Sequence, residues 1–249
     1  MKTALITGAT SGIGKATARA LSREGINLIL CGRRKERLEE LKKELSKRVA
    51  VYTLNFDVRD KAAVFEQIEG LPEKFSKIDI LINNAGNAHG LAPIQDGDIE
   101  DWDAMLDINV KGLLYVSKAI FPKMISQGSG HIINIGSTAG KEVYPNGNVY
   151  CASKHAVDAL NEAMRIDLNK HGIRVGAINP GLTQTEFSEV RFKGDSEKAE
   201  KVYNGFNPLQ AKDIADIIRF VITRPYHVNI SDLVVMPTAQ ANSTTIKKD

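Results

Sequence analysis

A serine, a tyrosine and a lysine are spaced in this chain as proton transfer at an oxygen atom would need them. Ser137 follows the apolar run Ile132-Ile133-Asn134-Ile135, Tyr150 comes thirteen residues later, and Lys154 four residues after that. On a helix, at about 100° per residue, positions 150 and 154 lie about 40° apart and share a face. A phenol is too weak an acid to move protons near neutral pH, and an ammonium fixed beside it favours the ionised form and lowers its pKa. A serine hydroxyl at the carboxyl end of a strand would then hold the reacting oxygen near the phenol. A surface tyrosine and lysine on an ordinary helix would share this spacing, so the elements around them must decide.

The first of those elements is the strand Thr3-Ala4-Leu5-Ile6-Thr7. It runs into Gly8-Ala9-Thr10-Ser11-Gly12-Ile13-Gly14 and then into a helix with Ile13, Ala16, Thr17, Ala20 and Leu21 on one face, stopped by Gly25. A strand, a glycine-rich turn and a helix are the setting of a dinucleotide site, where small residues let the backbone approach a pyrophosphate at the helix amino terminus. The glycines stand at 8, 12 and 14 and depart from the usual G-x-G-x-x-G spacing. The physical requirement is still met, which makes Gly8, Thr10, Ser11, Gly12, Ile13 and Gly14 the expected cofactor contacts. The second strand ends in Leu30-Cys31-Gly32 with no acid for a ribose hydroxyl, and Arg33-Arg34 follow directly. Guanidinium groups suit a phosphate dianion, so the expected cofactor is NADP rather than NAD.

Further strands are expected at Asn27 to Cys31, Val49 to Phe56, Ile78 to Ile82, 131–135, Ile173 to Ile178 and Leu233 to Met236. Helices are expected near 60–70, 101–126 and 149–170, with Leu38, Leu41 and Leu45 facing inward on the one after Arg34. This alternation argues for one α/β domain spanning 1–249. It would be a Rossmann-type, doubly wound parallel sheet of about seven strands with helices on both faces. The stretch 182–209 is polar and turn-rich, and its place after a strand's carboxyl end makes it a candidate cover for the ligand site. The uncharged tail from Pro237 to Thr245 would be odd in water and suggests packing at a subunit interface.

Composition excludes several classes. With 43% hydrophobic and 25% charged residues and a net charge of +3, the chain has a globular balance and no nucleic-acid or membrane signature. Its two cysteines, Cys31 and Cys151, lie in apolar runs and form no disulfide framework, and there is no signal-peptide pattern, so a cytoplasmic protein is expected. No His/Cys/Asp cluster has metal-ligand spacing. A hydrolase elbow around Ser137 is also excluded, because Ile135 and Ala139 stand where Gly-x-Ser-x-Gly needs glycine. His131, His155 and His171 read as structural, while His89 is a candidate for the site's edge.

The turn at Gly8, Asn83-Asn84-Ala85-Gly86, Ser137, and Tyr150-Cys151-Ala152-Ser153-Lys154 occur in this order, and together they resemble the short-chain dehydrogenase/reductase family from Thr7 to Gly181. The resemblance implies Ser137, Tyr150 and Lys154 as the catalytic set, and Asn109 as the holder of a water in a proton relay through Lys154. It also implies Asp57 and Val58 beside the adenine, Asn84, Ala85 and Gly86 along the adenosine ribose, and Pro180, Gly181 and Thr183 beside the nicotinamide. Tyr150 and Lys154 would touch the cofactor as well.

A narrower likeness lies in Glu186-Phe187-Ser188-Glu189-Val190-Arg191-Phe192-Lys193-Gly194-Asp195 and in Pro237-Thr238-Ala239-Gln240. These stretches resemble the branch of NADP-dependent 3-hydroxy acid (serine or L-allo-threonine) dehydrogenases. That branch implies a small hydroxy acid substrate and a homotetramer. Either Arg191 or Lys193 would take the substrate carboxylate, unless it is held in a structural ion pair; Ser137 and Tyr150 would hold the reacting oxygen. Two other readings stay open: a carbonyl reductase of the same family acting on a 3-ketoacyl thioester, a pterin or another ketone, and a non-catalytic NADP-binding regulatory protein.

Overall fold

The computed structural model describes residues 1–249. The first half of the chain forms β1 (Thr3–Thr7), α1 (Gly12–Arg23), β2 (Asn27–Gly32), α2 (Lys35–Leu45), β3 (Val51–Asn55), α3 (Lys61–Glu69), α4 (Glu73–Ser76) and β4 (Ile80–Asn83). The central part adds α5 (Ile99–Leu106), α6 (Leu113–Gln127), β5 (Gly130–Ile135), α7 (Asn148–Asn169) and β6 (Ile173–Pro180). Then follow β7 (Thr183–Gln184), α8 (Phe187–Arg191), α9 (Ser196–Lys201), β8 (Leu209–Gln210), α10 (Ala211–Ile222) and β9 (Asp232–Val235). No helix is long and apolar enough to cross a membrane.

Seven of the strands form one sheet in the order β3-β2-β1-β4-β5-β6-β9, every pair parallel. The strands are near-continuous apolar runs because both faces are covered. Successive residues go to opposite sides: Leu5, Ile29, Leu81, Ile132 and Val175 pack with α3, α6 and α7, while Ile6, Leu28, Leu30, Ile82 and Ile133 pack with α1, α2 and α10. The strand order reverses between β1 and β4, so the carboxyl ends of β1, β4, β5 and β6 open onto one crevice.

Four differences from the sequence expectation stand out. The buried face of α1 is Gly14, Thr17, Ala18 and Leu21 rather than one through Ile13, Ala16 and Ala20, because Gly14 backs onto the Gly8 carbonyl with no room for a Cβ. The region near 101–126 is two α-helices joined by a π-helical turn, Asp107–Gly112, which carries Asn109. The third strand is shorter than expected and covers Val51–Asn55. His131 is more than a strand starter: it is 2% exposed, neither ring nitrogen has a partner, and burial lowers its pKa to about 3.

Beneath the crevice, a chain of buried amides joins the layers. Asn83 Nδ2 donates to Ser117 Oγ and to Asn134 Oδ1, both at 2.9 Å. Asn134 Nδ2 donates to Asn161 Oδ1 at 3.1 Å, and Asn161 donates on to the Ser231 carbonyl. Such buried networks hold neighbouring elements in one arrangement, here with Asn83 Oδ1 alone left without a partner.

Candidate active site

The crevice is one continuous cleft running from Gly8 to Tyr150, and it brings together most of the residues singled out in the sequence. Ser137 follows β5 in extended conformation. Its backbone N–H donates to Asn179 Oδ1 at 3.2 Å, and its Oγ accepts from the Ala139 N–H at 3.1 Å. That leaves the hydroxyl proton to point into the cleft, on the side of the Tyr150 phenol. Tyr150 and Lys154 share the inner face of α7, and both are buried. Gly140 in the turn after Ser137 meets the Lys154 carbonyl so closely that a Cβ would stand 2.6 Å from it, which presses the turn onto the helix. Asn109 does not line the cleft. It stands behind Gly86, where Oδ1 accepts from the Asn87 N–H (2.9 Å) and Nδ2 donates to the Asn87 carbonyl (2.9 Å) and Ser153 Oγ (3.0 Å).

The electrostatics reverse one expectation. Burial pushes the Tyr150 phenol up to about 12, an effect that the Tyr144 phenol adds to and that Arg191 and a hydrogen bond with Ser137 oppose. Lys154 does not lower it, because its ammonium donates to the Ile135 carbonyl at 3.0 Å and burial brings its own pKa down to about 8. The cation acting on the phenol belongs to Arg191, whose guanidinium carbon lies 4.9 Å from the Tyr150 ring centre.

The nucleotide half of the cleft fits a dinucleotide. Gly8 has φ +65°, and a Cβ on it would stand 2.9 Å from Asn84 Nδ2, so the turn can close only with glycine there. Asn84 in turn donates to the Thr7 carbonyl (2.9 Å) and the Gly8 carbonyl (3.2 Å), tying the β4 end to the turn. The α1 amino terminus has no side-chain cap, so its first N–H groups face the cleft without a protein acceptor from Ser11. Thr10, Ser11, Gly12, Ile13, Arg33, Arg34, Asp57, Val58, Ala85, Gly86, Pro180, Gly181 and Thr183 all line it. Gly14 does not; it serves the packing of α1 on the turn.

Arg34 reaches across the glycine turn. Its Nη2 donates to Ser11 Oγ (2.7 Å) and Thr10 Oγ1 (2.9 Å), and its Nη1 to Glu186 Oε2 (2.8 Å). Arg33 is the more open of the pair and makes only a 3.4 Å contact with Asp57. Glu186 was not visible in the sequence as a site residue. Burial would raise its carboxyl pKa, but hydrogen bonds from Arg34 and Arg37 hold it below the usual carboxylate range.

On the substrate side, α8 lays Phe187 against Tyr150 with ring centres 5.6 Å apart, and it sets the Arg191 guanidinium among the rings of Tyr150, Phe187 and Tyr144. Arg191 Nη2 donates to Tyr144 Oη at 2.7 Å, while its Nε is buried without a partner. Lys193 is elsewhere: it pairs with Asp101 (3.0 Å) and Asp98 (3.5 Å), an exposed ion pair that pins the end of α8. Of the two carboxylate candidates, then, only Arg191 faces the cleft. His89 does not line it, but bonds Asn87 Nδ2 through its Nε2.

The tail folds back onto its own chain. Gln240 is 5% exposed and accepts from the Leu182 N–H at 2.8 Å, and Gln240, Ser243 and Ile246 line the cleft. Tyr144, Phe187 and Gln240 were not singled out as site residues, although Phe187 and Gln240 stand in the stretches that carry the narrower likeness; single residues in a loop, a five-residue helix and the tail carry no periodic signal.

Comparison with known proteins fits this geometry. The family model described as short chain dehydrogenase matches residues 2–196. Sulfoacetaldehyde reductase 2 of Chromohalobacter salexigens is 48% identical over 95% of this chain and 94% of its own length. The NADP-dependent 3-hydroxy acid dehydrogenase of Escherichia coli is 46% identical over 95% of each chain. A solved structure described as the closed form of serine dehydrogenase complexed with NADP+ superposes with a TM-score of 0.93 at 44% identity, covering 99% of both chains. With the family model spanning most of the sheet and the serine, tyrosine and lysine meeting in one cleft, the chain belongs to the short-chain dehydrogenase family of oxidoreductases.

Proposed function

We propose that this protein interconverts the 3-hydroxyl of a small hydroxy acid and the corresponding carbonyl, with NADP as cofactor. L-serine, L-allo-threonine and 3-hydroxypropionate are the substrates to test first. The observation that carries the substrate class is Arg191, a cation held beside the Tyr150 ring with a buried, unpartnered Nε. A buried donor with no acceptor is costly unless a ligand supplies one. A carboxylate does so, and a guanidinium takes it in a two-point contact. The relatives named above act on matching chemistry. A 3-hydroxy acid and the alcohol corresponding to sulfoacetaldehyde both place the reacting carbon next to the carbon bearing the anionic group. A sulfonate is therefore a second anion that the same Arg191 suits.

NADP is supported by Arg33 and Arg34 directly after β2, whose last residues include no acid, and by the cofactor named for the relatives. The bound nicotinamide supplies the hydride in reduction and accepts it in oxidation. The chain's own groups do the rest. In reduction, Tyr150 Oη gives its proton to the carbonyl oxygen while the Ser137 hydroxyl donates a hydrogen bond to the same atom, as negative charge grows there. Burial keeps the phenol protonated, so Tyr150 carries the proton that reduction needs. In oxidation, Tyr150 takes the hydroxyl proton, helped by the Arg191 cation. Lys154 holds the cofactor ribose, and Asn109, which meets Lys154 across Gly86, places the proton relay. Exposed Ile166, Phe220 and Val234 support an assembly of several copies, the expected homotetramer, which sedimentation would test.

The deciding experiment is NADP-dependent oxidation of L-serine, L-allo-threonine, 3-hydroxypropionate and isethionate side by side, with an uncharged alcohol as control. Turnover of the acids well above the control is expected. Equal turnover of the uncharged alcohol would refute the anionic substrate class.

A further inference from the structure

The chain places a carboxylate where the cofactor site and the substrate cover meet. Glu186 Oε1 accepts from Arg37 Nη1 at 2.7 Å and Oε2 from Arg34 Nη1 at 2.8 Å. Arg34 is the same group that reaches the Thr10 and Ser11 hydroxyls of the glycine turn. The residue after Glu186 is Phe187, the first of α8, and α8 carries both the ring against Tyr150 and the Arg191 guanidinium. One side chain thus links the edge that reads the nucleotide to the element that shapes the substrate side.

Charge sets what this link can do. Arg33, Arg34 and Arg37 carry three positive charges against the single negative charge of Glu186, leaving an excess of two. Asp57 does not remove that excess, because its closer partner is Arg59 at 2.8 Å. An excess of two is what a phosphate dianion neutralises near neutral pH. Glu186 is therefore an internal anion that shares the arginines with a 2′-phosphate. It anchors α8 to them, and it also opposes the phosphate.

We propose that Glu186 is a positioning residue that couples the cofactor's 2′-phosphate to the substrate-side helix α8, holding Phe187 and Arg191 over Tyr150 through Arg34 and Arg37. This rests on the NADP reading above. Two effects of opposite sign follow for Glu186→Gln, which keeps the size and loses the charge. Across the width of one guanidinium, about 6 Å, removing a negative charge from beside a dianion strengthens its binding by about three- to tenfold at physiological salt. The kcat/KM ratio of NADP over NAD rises by that factor. Loosening two partly exposed ion pairs at the root of α8 raises KM for the hydroxy acid by about three- to tenfold.

The experiment measures both ratios, and the melting temperature, for the full chain and for Glu186→Gln. Arg37→Gln serves as a second variant, expected to raise KM for the hydroxy acid without the gain in NADP preference. In the double variant the two KM effects should not add, because both sever one link. A merely structural Glu186 would weaken both substrates together and lower the melting temperature. An NADP/NAD ratio that falls or stays level in Glu186→Gln overturns the proposal, as does an unchanged KM for the hydroxy acid. Failure of the underlying reading looks different, since the unaltered protein would then show no preference for NADP.

Discussion

Replacing Arg191 by leucine separates binding of the acid from the chemistry at Tyr150. The guanidinium is fixed from several sides: a 2.7 Å hydrogen bond to Tyr144, and ring centres of Tyr150, Phe187 and Tyr144 at 4.9, 5.5 and 5.9 Å. Its Nε remains without an acceptor. A hydrogen bond to a charged group contributes about 1.5–3 kcal/mol, so losing the contact to a substrate carboxylate raises KM by roughly 10- to 150-fold. A second, smaller effect comes from electrostatics. Arg191 lowers the Tyr150 pKa, so its loss moves the phenol further up and slows oxidation of any alcohol at a given pH. The assay that tells them apart follows NADPH absorbance with 3-hydroxypropionate and with its neutral amide, which shares the reacting carbon. The kcat/KM ratio of acid to amide should fall by at least about tenfold, while the amide alone slows modestly. A ratio unchanged within about twofold would refute the carboxylate role and leave Arg191 as a structural clamp on Tyr144.

Other outcomes follow from the same geometry. Tyr150→Phe removes the acid/base that meets the reacting oxygen and should cut turnover by about 10²- to 10⁴-fold while NADP still binds, checked by quenching or shift of NADPH fluorescence; substantial residual activity would sink the assignment. Arg33→Asp places an acid at the end of β2 and should move cofactor preference toward NAD, read as the change in kcat/KM for the two cofactors; an unaltered preference removes Arg33 from the phosphate site. His131 is neutral in the fold, with a pKa of about 3 against 6.5 when unfolded. The unfolded chain binds the extra proton, so stability is full above pH 6.5 and falls as the pH drops toward 3, by about 2 kcal/mol already at pH 5. Urea unfolding midpoints from pH 7 to pH 5 should show this fall, and His131→Leu should flatten it.

The fold was legible in the sequence because its signals are local and repeated. Apolar runs such as Leu28 to Leu30 mark strands covered on both faces, and Leu38, Leu41 and Leu45 mark a helix stripe, so the alternation of a parallel sheet could be read directly. The reacting groups were legible for a related reason. Tyr150 and Lys154 sit one helical turn apart, and Ser137 ends a strand, so each is placed by its own element. The glycine turn and Arg33-Arg34 are likewise short-range features.

Tertiary structure decided how those residues are charged and what surrounds them. The sequence suggested that Lys154 would depress the Tyr150 pKa, but burial and a bond to the Ile135 carbonyl take that ammonium away, and the nearby cation comes from Arg191 instead. Arg191 and Lys193 are two residues apart and chemically alike. Only the packing of α8 sends one into the cleft and the other to Asp101. Glu186 meets Arg34 across 152 positions, a separation at which no periodicity operates. Composition and spacing determine which elements form and which groups they carry. Desolvation and long-range contacts exist only once the layers have packed, and in this protein they set the charge of the phenol and the partner of each cation.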